Sequence, residues 1–204
     1  MKKLLRCVLP LDTQTYQAIR NQAKELLEAG HPKETPFLDC QGFYTFPYGK
    51  RIVSLHPERE DCVIKREIPT RDHRLPSNVN EVLISNYLYQ QNHPDYERIT
   101  PVYTHNYDYS AIIAKRADYV GCSMDEYDRD NYPKWASDIS PKNVGWVDGK
   151  PVLVDYEPFY NVVKLDLGFR RKGEGDGKTY EFLKFDKVQK YLSLQTLDAY
   201  LADE

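Results

Sequence analysis

Two kinds of pattern alternate along this chain, and the changes from one to the other divide it. Between Asp12 and Gly30 the apolar residues Tyr16, Ile19, Ala23, Leu26 and Leu27 recur at the spacing of one helix face. Asp12-Thr13 offers an N-cap and Gly30 a C-terminal stop, so the spacing predicts a helix between them. His31-Pro32 and Thr35-Pro36 break the chain. The pattern then turns to β: Phe37–Phe46, Arg51–Leu55 and Cys62–Arg66 read as three strands. A charged, proline-bounded linker, Ile68–Pro76, leads into a second helix over Ser77–Gln91, with Val79, Val82, Leu83 and Leu88 on its apolar face. Two hairpins follow. Ile99–Thr104 and Ser110–Lys115 flank the polar turn His105–Asp108, and Val144–Val147 and Pro151–Val154 flank Asp148-Gly149. That dipeptide is a strong two-residue turn signal, because both central positions of such a turn favour positive φ. Met1–Pro10, Phe159–Phe169 and Thr179–Phe185 read as further strands, and Asp186–Ala202 as a closing helix. The fold class is α+β.

Composition adds limits. With 204 residues the chain has length for one domain or two small lobes. A net charge of −3 and the lack of a dense Lys/Arg block give no basis for a nucleic-acid surface. No apolar run approaches the roughly 20 residues a membrane helix needs. The start, M-K-K-L-L-R-C-V-L-P, is too short in its apolar part for a signal peptide and is interrupted by Arg6. Cys7, Cys40, Cys62 and Cys122 have no C-x-x-C spacing, which argues against a zinc knuckle and for reduced thiols. A cytoplasmic protein without membrane or nucleic-acid partners is expected. The 17 tyrosines are compatible with a protein-partner interface.

The candidate chemistry gathers around the second hairpin. Closing it brings Asn143, just before the first strand, near Asp155, just after the second. An amide oxygen and a carboxylate are hard ligands suited to Mg²⁺ carrying a nucleotide's phosphates. Asp138, five residues before Asn143, is placed to accept a proton from an attacking hydroxyl. Upstream, Lys65 lies on a strand and Glu81, 16 residues later, on the second helix. Asn78 followed by Glu81 is also a capping-box pattern, which would put Glu81 in the first helical turn. Gly177-Lys178-Thr179 is not a phosphate loop, since Lys172 stands where its first Gly belongs and a strand follows.

In their order and spacing, C-V-I-K-R, D-I-S-P-K-N and V-L-V-D-Y-E resemble the protein-kinase superfamily, in particular compact homologues of bacteriophage and bacterial type. The resemblance covers Gly49 to Asp155. It implies a kinase-like two-lobed fold with a β-rich small lobe plus one helix and a strongly reduced large lobe. Residues 1–36 would be an N-terminal extension, 37–117 the small lobe and 118–204 the reduced large lobe. It further implies ATP and Mg²⁺ as cofactors and transfer of the γ-phosphoryl group to a protein hydroxyl or to the chain itself. Lys65 would neutralise phosphate charge, Glu81 would pair with and orient that lysine, with Glu67 as the substitute partner if Glu81 sits too early in its helix, and Asp138 would position the acceptor. Asn143 and Asp155 would hold the metal. Gly49 matches the last glycine of the loop over the phosphates, and Lys115 to Ala117 the hinge that meets adenine, with Ala114 in the gatekeeper region. The chain departs from the family where Ala136 and Ser137 replace His and Arg, and where Glu157 replaces the Gly of D-F-G. The loop Gln41–Lys50 has only Gly42 and Gly49, with Pro47 between. Only 21 positions separate Ala117 from Asp138, and 49 residues follow Asp155. These departures suit an alternative: a catalytically inactive kinase-like protein, or an unrelated α+β protein, that acts by binding a partner.

Overall fold

The computed structural model describes residues 11–68 except 48 and 50, 77–121 except 107, 132–133, 135–136 and 139–156. The strand expected over Met1–Pro10, the elements expected after Asp155 and the candidate base Asp138 lie outside these residues.

Helix α1, Thr13–Glu28, begins where Asp12 accepts from the Thr15 backbone N–H at 2.7 Å. It stops at Gly30, whose φ of +86° turns the chain so that His31 N–H reaches the Leu26 carbonyl and Gly30 N–H that of Leu27. Ile19 and Ala23 bury against Leu11, Phe37 and Ile52, with Tyr16 and Leu26 packed at the margin.

The main sheet has six antiparallel strands: β1 Phe37–Leu38, β2 Tyr44–Thr45, β3 Ile52–Leu55, β4 Cys62–Arg66, β5 Val102–His105 and β6 Ala111–Lys115, in the order β1-β2-β3-β4-β6-β5. Where one strand was expected over Phe37–Phe46 there are two short ones. The reason is Asp39: its Oδ1 accepts from the Gln41 and Phe43 backbone N–H groups at 2.9 and 3.0 Å, folding the chain back on itself. Its Oδ2 takes the Thr45 hydroxyl, and Arg66, buried under the hairpin, donates to Ser54 and faces Asp39 at 3.4 Å.

Alternation along β4 sets the rest. Successive side chains point to opposite faces, so Val63 and Lys65 share one face of the strand while Cys62, Ile64 and Arg66 share the other. Helix α2, Ser77–Gln90, lies on the Lys65 side, where Val82, Leu83, Ile84, Tyr87 and Leu88 pack with Val63, Ile112 and Ala114. The cap of α2 is not the capping box that Asn78 and Glu81 could have formed. Asn78 sits inside the helix, and Glu67 supplies the capping oxygen, accepting from Asn78 N–H at 2.8 Å.

A second sheet, β7 Tyr119–Val120, β8 Val144–Val147 and β9 Lys150–Leu153, is also antiparallel. Asp148 and Gly149 have φ of +52° and +72°, as the turn chemistry predicted. The sheet is fixed to the body of the molecule through Ile99, which bridges Leu153, through Thr100 N–H to the Leu153 carbonyl at 2.9 Å, and through Tyr156, whose hydroxyl donates to the Thr100 carbonyl at 2.8 Å. Val144, Leu153 and Tyr156 thereby join the core under α2.

Because this turn aligns β8 with β9, straining it should be felt in stability. Gly149→Ala is expected to lower the unfolding free energy in urea by about 1 kcal/mol, the cost of a Cβ in left-handed backbone. Asp148→Gly, at a position that already holds φ of +52°, should cost less.

Candidate functional site

The faces just described bring four charged side chains into one cluster. Lys65 Nζ donates to Glu81 Oε2 at 2.7 Å and to the Val154 carbonyl at 2.5 Å. The Val154 N–H in turn donates to the Asn143 carbonyl at 2.9 Å, so the closed hairpin presents its end directly to the lysine. The fourth member went unnoticed in the sequence. Arg51, at the entry to β3, donates through Nη2 to Glu81 Oε1 at 2.5 Å and to Asp155 Oδ1 at 2.8 Å, and through Nη1 to Asn78 Oδ1 at 3.2 Å. Asn78 holds its own place by donating to the Lys65 and Tyr109 carbonyls. The sequence did carry a signal for Arg51: a basic residue opening a strand whose same-face neighbours Val53 and Leu55 are apolar was not read as more than a strand boundary.

Burial differs sharply within the cluster. Lys65 and Arg51 are buried and Glu81 has no exposed side-chain surface, whereas 46% of the Asp155 side chain meets solvent. Burial pulls the Lys65 ammonium below its ordinary value, with Arg51 adding to the effect and Glu81 opposing it. Burial also works against the charged Arg51 guanidinium, but Glu81 and Asp155 outweigh it and hold Arg51 firmly protonated. At Asp155 burial pushes the carboxyl up, and the charges of Arg51 and Lys65 more than reverse this, so it lies below 3.8. Glu67 moves the other way, raised by burial.

The other sequence candidates fall in two groups. Glu67 caps α2 and does not pair with Lys65. Gly49 lies on the exposed loop before Arg51 with φ of +89°, and its carbonyl accepts from Arg20 of α1 at 2.6 Å. The backbone N–H groups of Lys115 and Arg116 donate to the Pro101 and Asp61 carbonyls, while that of Ala117 has no partner among the described residues. Lys65 and Glu81 are thus paired directly and Asp155 is joined to Glu81 through Arg51, Asn143 is one backbone hydrogen bond away, and Gly49, Lys115 and Ala117 stand outside the ion-pair cluster.

Asn143 and Asp155 as arranged here do not fit a divalent cation. Asp155 Oδ1 already bears the Arg51 guanidinium, and Lys65 and Lys142 add further positive charge around it. Among the described residues no group of three or more His, Cys, Asp or Glu side chains could hold a metal ion. What the cluster offers instead is two buried cations balanced by two carboxylates, only one of which is accessible.

Removing the inaccessible carboxylate should therefore be the costly change. Glu81→Ala is expected to lower stability by about 3–5 kcal/mol in urea denaturation, since it leaves two cations buried without their shared partner. Asp155→Asn should cost under about 1 kcal/mol, because the carboxylate it removes is half solvated and the buried Arg51 keeps its bond to Glu81. A carboxyl whose folded value is depressed contributes above its ordinary value and loses that contribution as pH falls through the folded value. The difference between parent and Asp155→Asn should accordingly be full at neutral pH and close below pH 3.8. Comparison with protein-family models, with curated proteins and with solved structures returned no match to this chain.

Proposed function

We propose that this chain is a kinase-like phosphate-binding protein that takes ATP at Lys65 and passes its γ-phosphoryl group to a protein hydroxyl or to itself. The observation that carries the reading is the Lys65–Glu81 ion pair, a strand lysine held by a helix glutamate at 2.7 Å. In protein kinases a lysine and glutamate so placed must be paired for the phosphates to be positioned. An ammonium kept against a fully buried carboxylate is oriented before any ligand arrives, and phosphoryl transfer depends on such positioning more than on covalent chemistry. The antiparallel small sheet with one helix on its lysine face suits a small-lobe-like unit.

In this reading Lys65 donates to phosphate oxygens, Glu81 fixes its direction, and the Ala117 N–H meets the adenine edge. Asp138 accepts the proton of the attacking hydroxyl as the bond between the γ-phosphorus and the bridging oxygen breaks, leaving ADP. Mg²⁺ at Asn143 and Asp155 would require Arg51 to release Asp155 first.

That same contact favours a second reading, a kinase-like chain without turnover that acts on a protein partner. Tyr44 and Tyr89, both more than half exposed, with Leu38 opposite Tyr44 across β1 and β2, supply apolar and amphipathic surface for it. No helix among the described residues is long and apolar enough to cross a membrane.

Incubation with γ-labelled ATP, with and without Mg²⁺, separates the two. Phosphoryl transfer predicts label on the parent chain that disappears in Asp138→Ala and falls at least about a hundredfold in Lys65→Ala, in line with the loss of a positioned electrostatic group. No incorporation under any metal condition, with folded protein, leaves the partner-binding role.

A further inference from the structure

We propose that Asp155 is a displaceable stand-in for a phosphate group, so that the site takes the triphosphate of ATP without a divalent cation and Arg51 supplies the charge a metal would bring. The inference rests on the nucleotide reading above and deepens it.

Three observations carry it. The first is the sharing of Arg51. One nitrogen, Nη2, serves both Glu81 and Asp155, while Nη1 is tied to Asn78. Arg51 is held from the core side by Glu81 and Asn78 whether or not Asp155 remains, so its position is preset. The second is the asymmetry of the two carboxylates. Glu81 has no exposed side-chain surface, and Asp155 is 46% exposed and lies just past the end of β9. An incoming anion can replace Asp155 on the open side, and it cannot replace Glu81. The third is charge. With Asp155 swung into water, Glu81 is the one carboxylate among the described residues still bonded to Arg51 and Lys65; Glu67 acts on Arg51 more weakly, and Lys142 adds its charge beside Asp155, so three cations stand against two carboxylates in a setting of low dielectric. Arg presents a planar fork suited to phosphate oxygens, and Lys a compact point charge. A divalent cation entering the same place would meet that surplus instead of an anionic cage.

The exchange is one of partners and involves no bond breaking. A carboxylate leaves the guanidinium, regains its hydration, and a phosphate takes up the vacated donor. Asn78 and Glu81 keep Arg51 from following Asp155 outward. The resulting order of preference is for compact polyanions with two or more phosphates, which can span Arg51 and Lys65 together.

The test is calorimetric titration of the full chain with ATP, in EDTA and in Mg²⁺. Metal-free binding predicts dissociation constants within about threefold of each other in the two conditions, a difference well short of the tenfold that one lost charged contact brings. Asp155→Asn should tighten binding in EDTA by removing the competing carboxylate. Arg51→Lys, which keeps the charge and loses the fork, should weaken it by about tenfold or more. Binding that is lost in EDTA, or that disappears in Asp155→Asn, makes Asp155 a metal ligand and overturns the inference while leaving the nucleotide reading in place. Arg51→Lys binding as the parent does would likewise overturn it. If the parent takes no ATP in either condition, the nucleotide reading fails and this inference fails with it. Asp155→Asn alters a half-exposed group, so it keeps the test sharp should Arg51→Lys unfold.

Discussion

Glu81 is a carboxylate carried by a helix into a place where water cannot follow, and its neighbours are arranged around that fact. An isolated charge so deeply placed costs several kcal/mol, more than a small domain can readily bear. Two cations answer it, Lys65 on β4 and Arg51 at the entry to the adjacent antiparallel β3, and each is itself too buried to stand alone. The position of α2 against β3 and β4 is therefore specified by charge as well as by the apolar contacts of Val82, Leu83 and Leu88. Sliding the helix by one turn would keep much of the hydrophobic burial but would separate Glu81 from both partners. Such a network adds little to net stability compared with apolar packing, and its effect is to favour one alignment over its near competitors.

The same constraint explains why the second sheet matters. Lys65 has one acceptor on Glu81 and another on the Val154 carbonyl, so the end of the β8–β9 hairpin is part of the lysine's coordination. Ile99, Thr100 and Tyr156 hold that hairpin end in place from below. Packing, turn chemistry and ion pairing converge at Val154 and Asp155, and the chemical character of the site follows from which of these groups remain open to solvent.

Much of this was legible beforehand where local rules dominate. The limits of α1 and α2, the Asp148-Gly149 turn and the extent of β4 follow from caps, spacing and turn residues that act within a few positions. The pairing of Lys65 with Glu81 was legible only through resemblance, since nothing local links a strand lysine to a helix residue 16 positions on. Glu67 was left open as a substitute partner because a carboxylate near a helix start can serve as a cap or as an ion-pair partner, and distance along the chain does not say which; it is the cap. Arg51 was missed for a related reason. Its partners Asn78, Glu81 and Asp155 are 27, 30 and 104 positions away, and only the assembled sheet brings them within reach. The split of Phe37–Phe46 into a hairpin turned on Asp39 folding back to its own backbone, a side-chain effect that strand propensity does not register.

One contact outside the cluster bears on how this region can change over time. Arg20 of α1 grips a main-chain oxygen at Gly49, two positions before Arg51. The loop is pinned at both ends of a three-residue interval, by an outer helix at one end and by the buried ions at the other. Gly49 is fixed by its left-handed backbone and Arg51 by its buried partners, so only the letter between them is free to drift. The length of the interval is not: an inserted residue would pull either the tether or the guanidinium out of place. Insertions and deletions, tolerated in most surface loops, are the variation this stretch is least able to absorb.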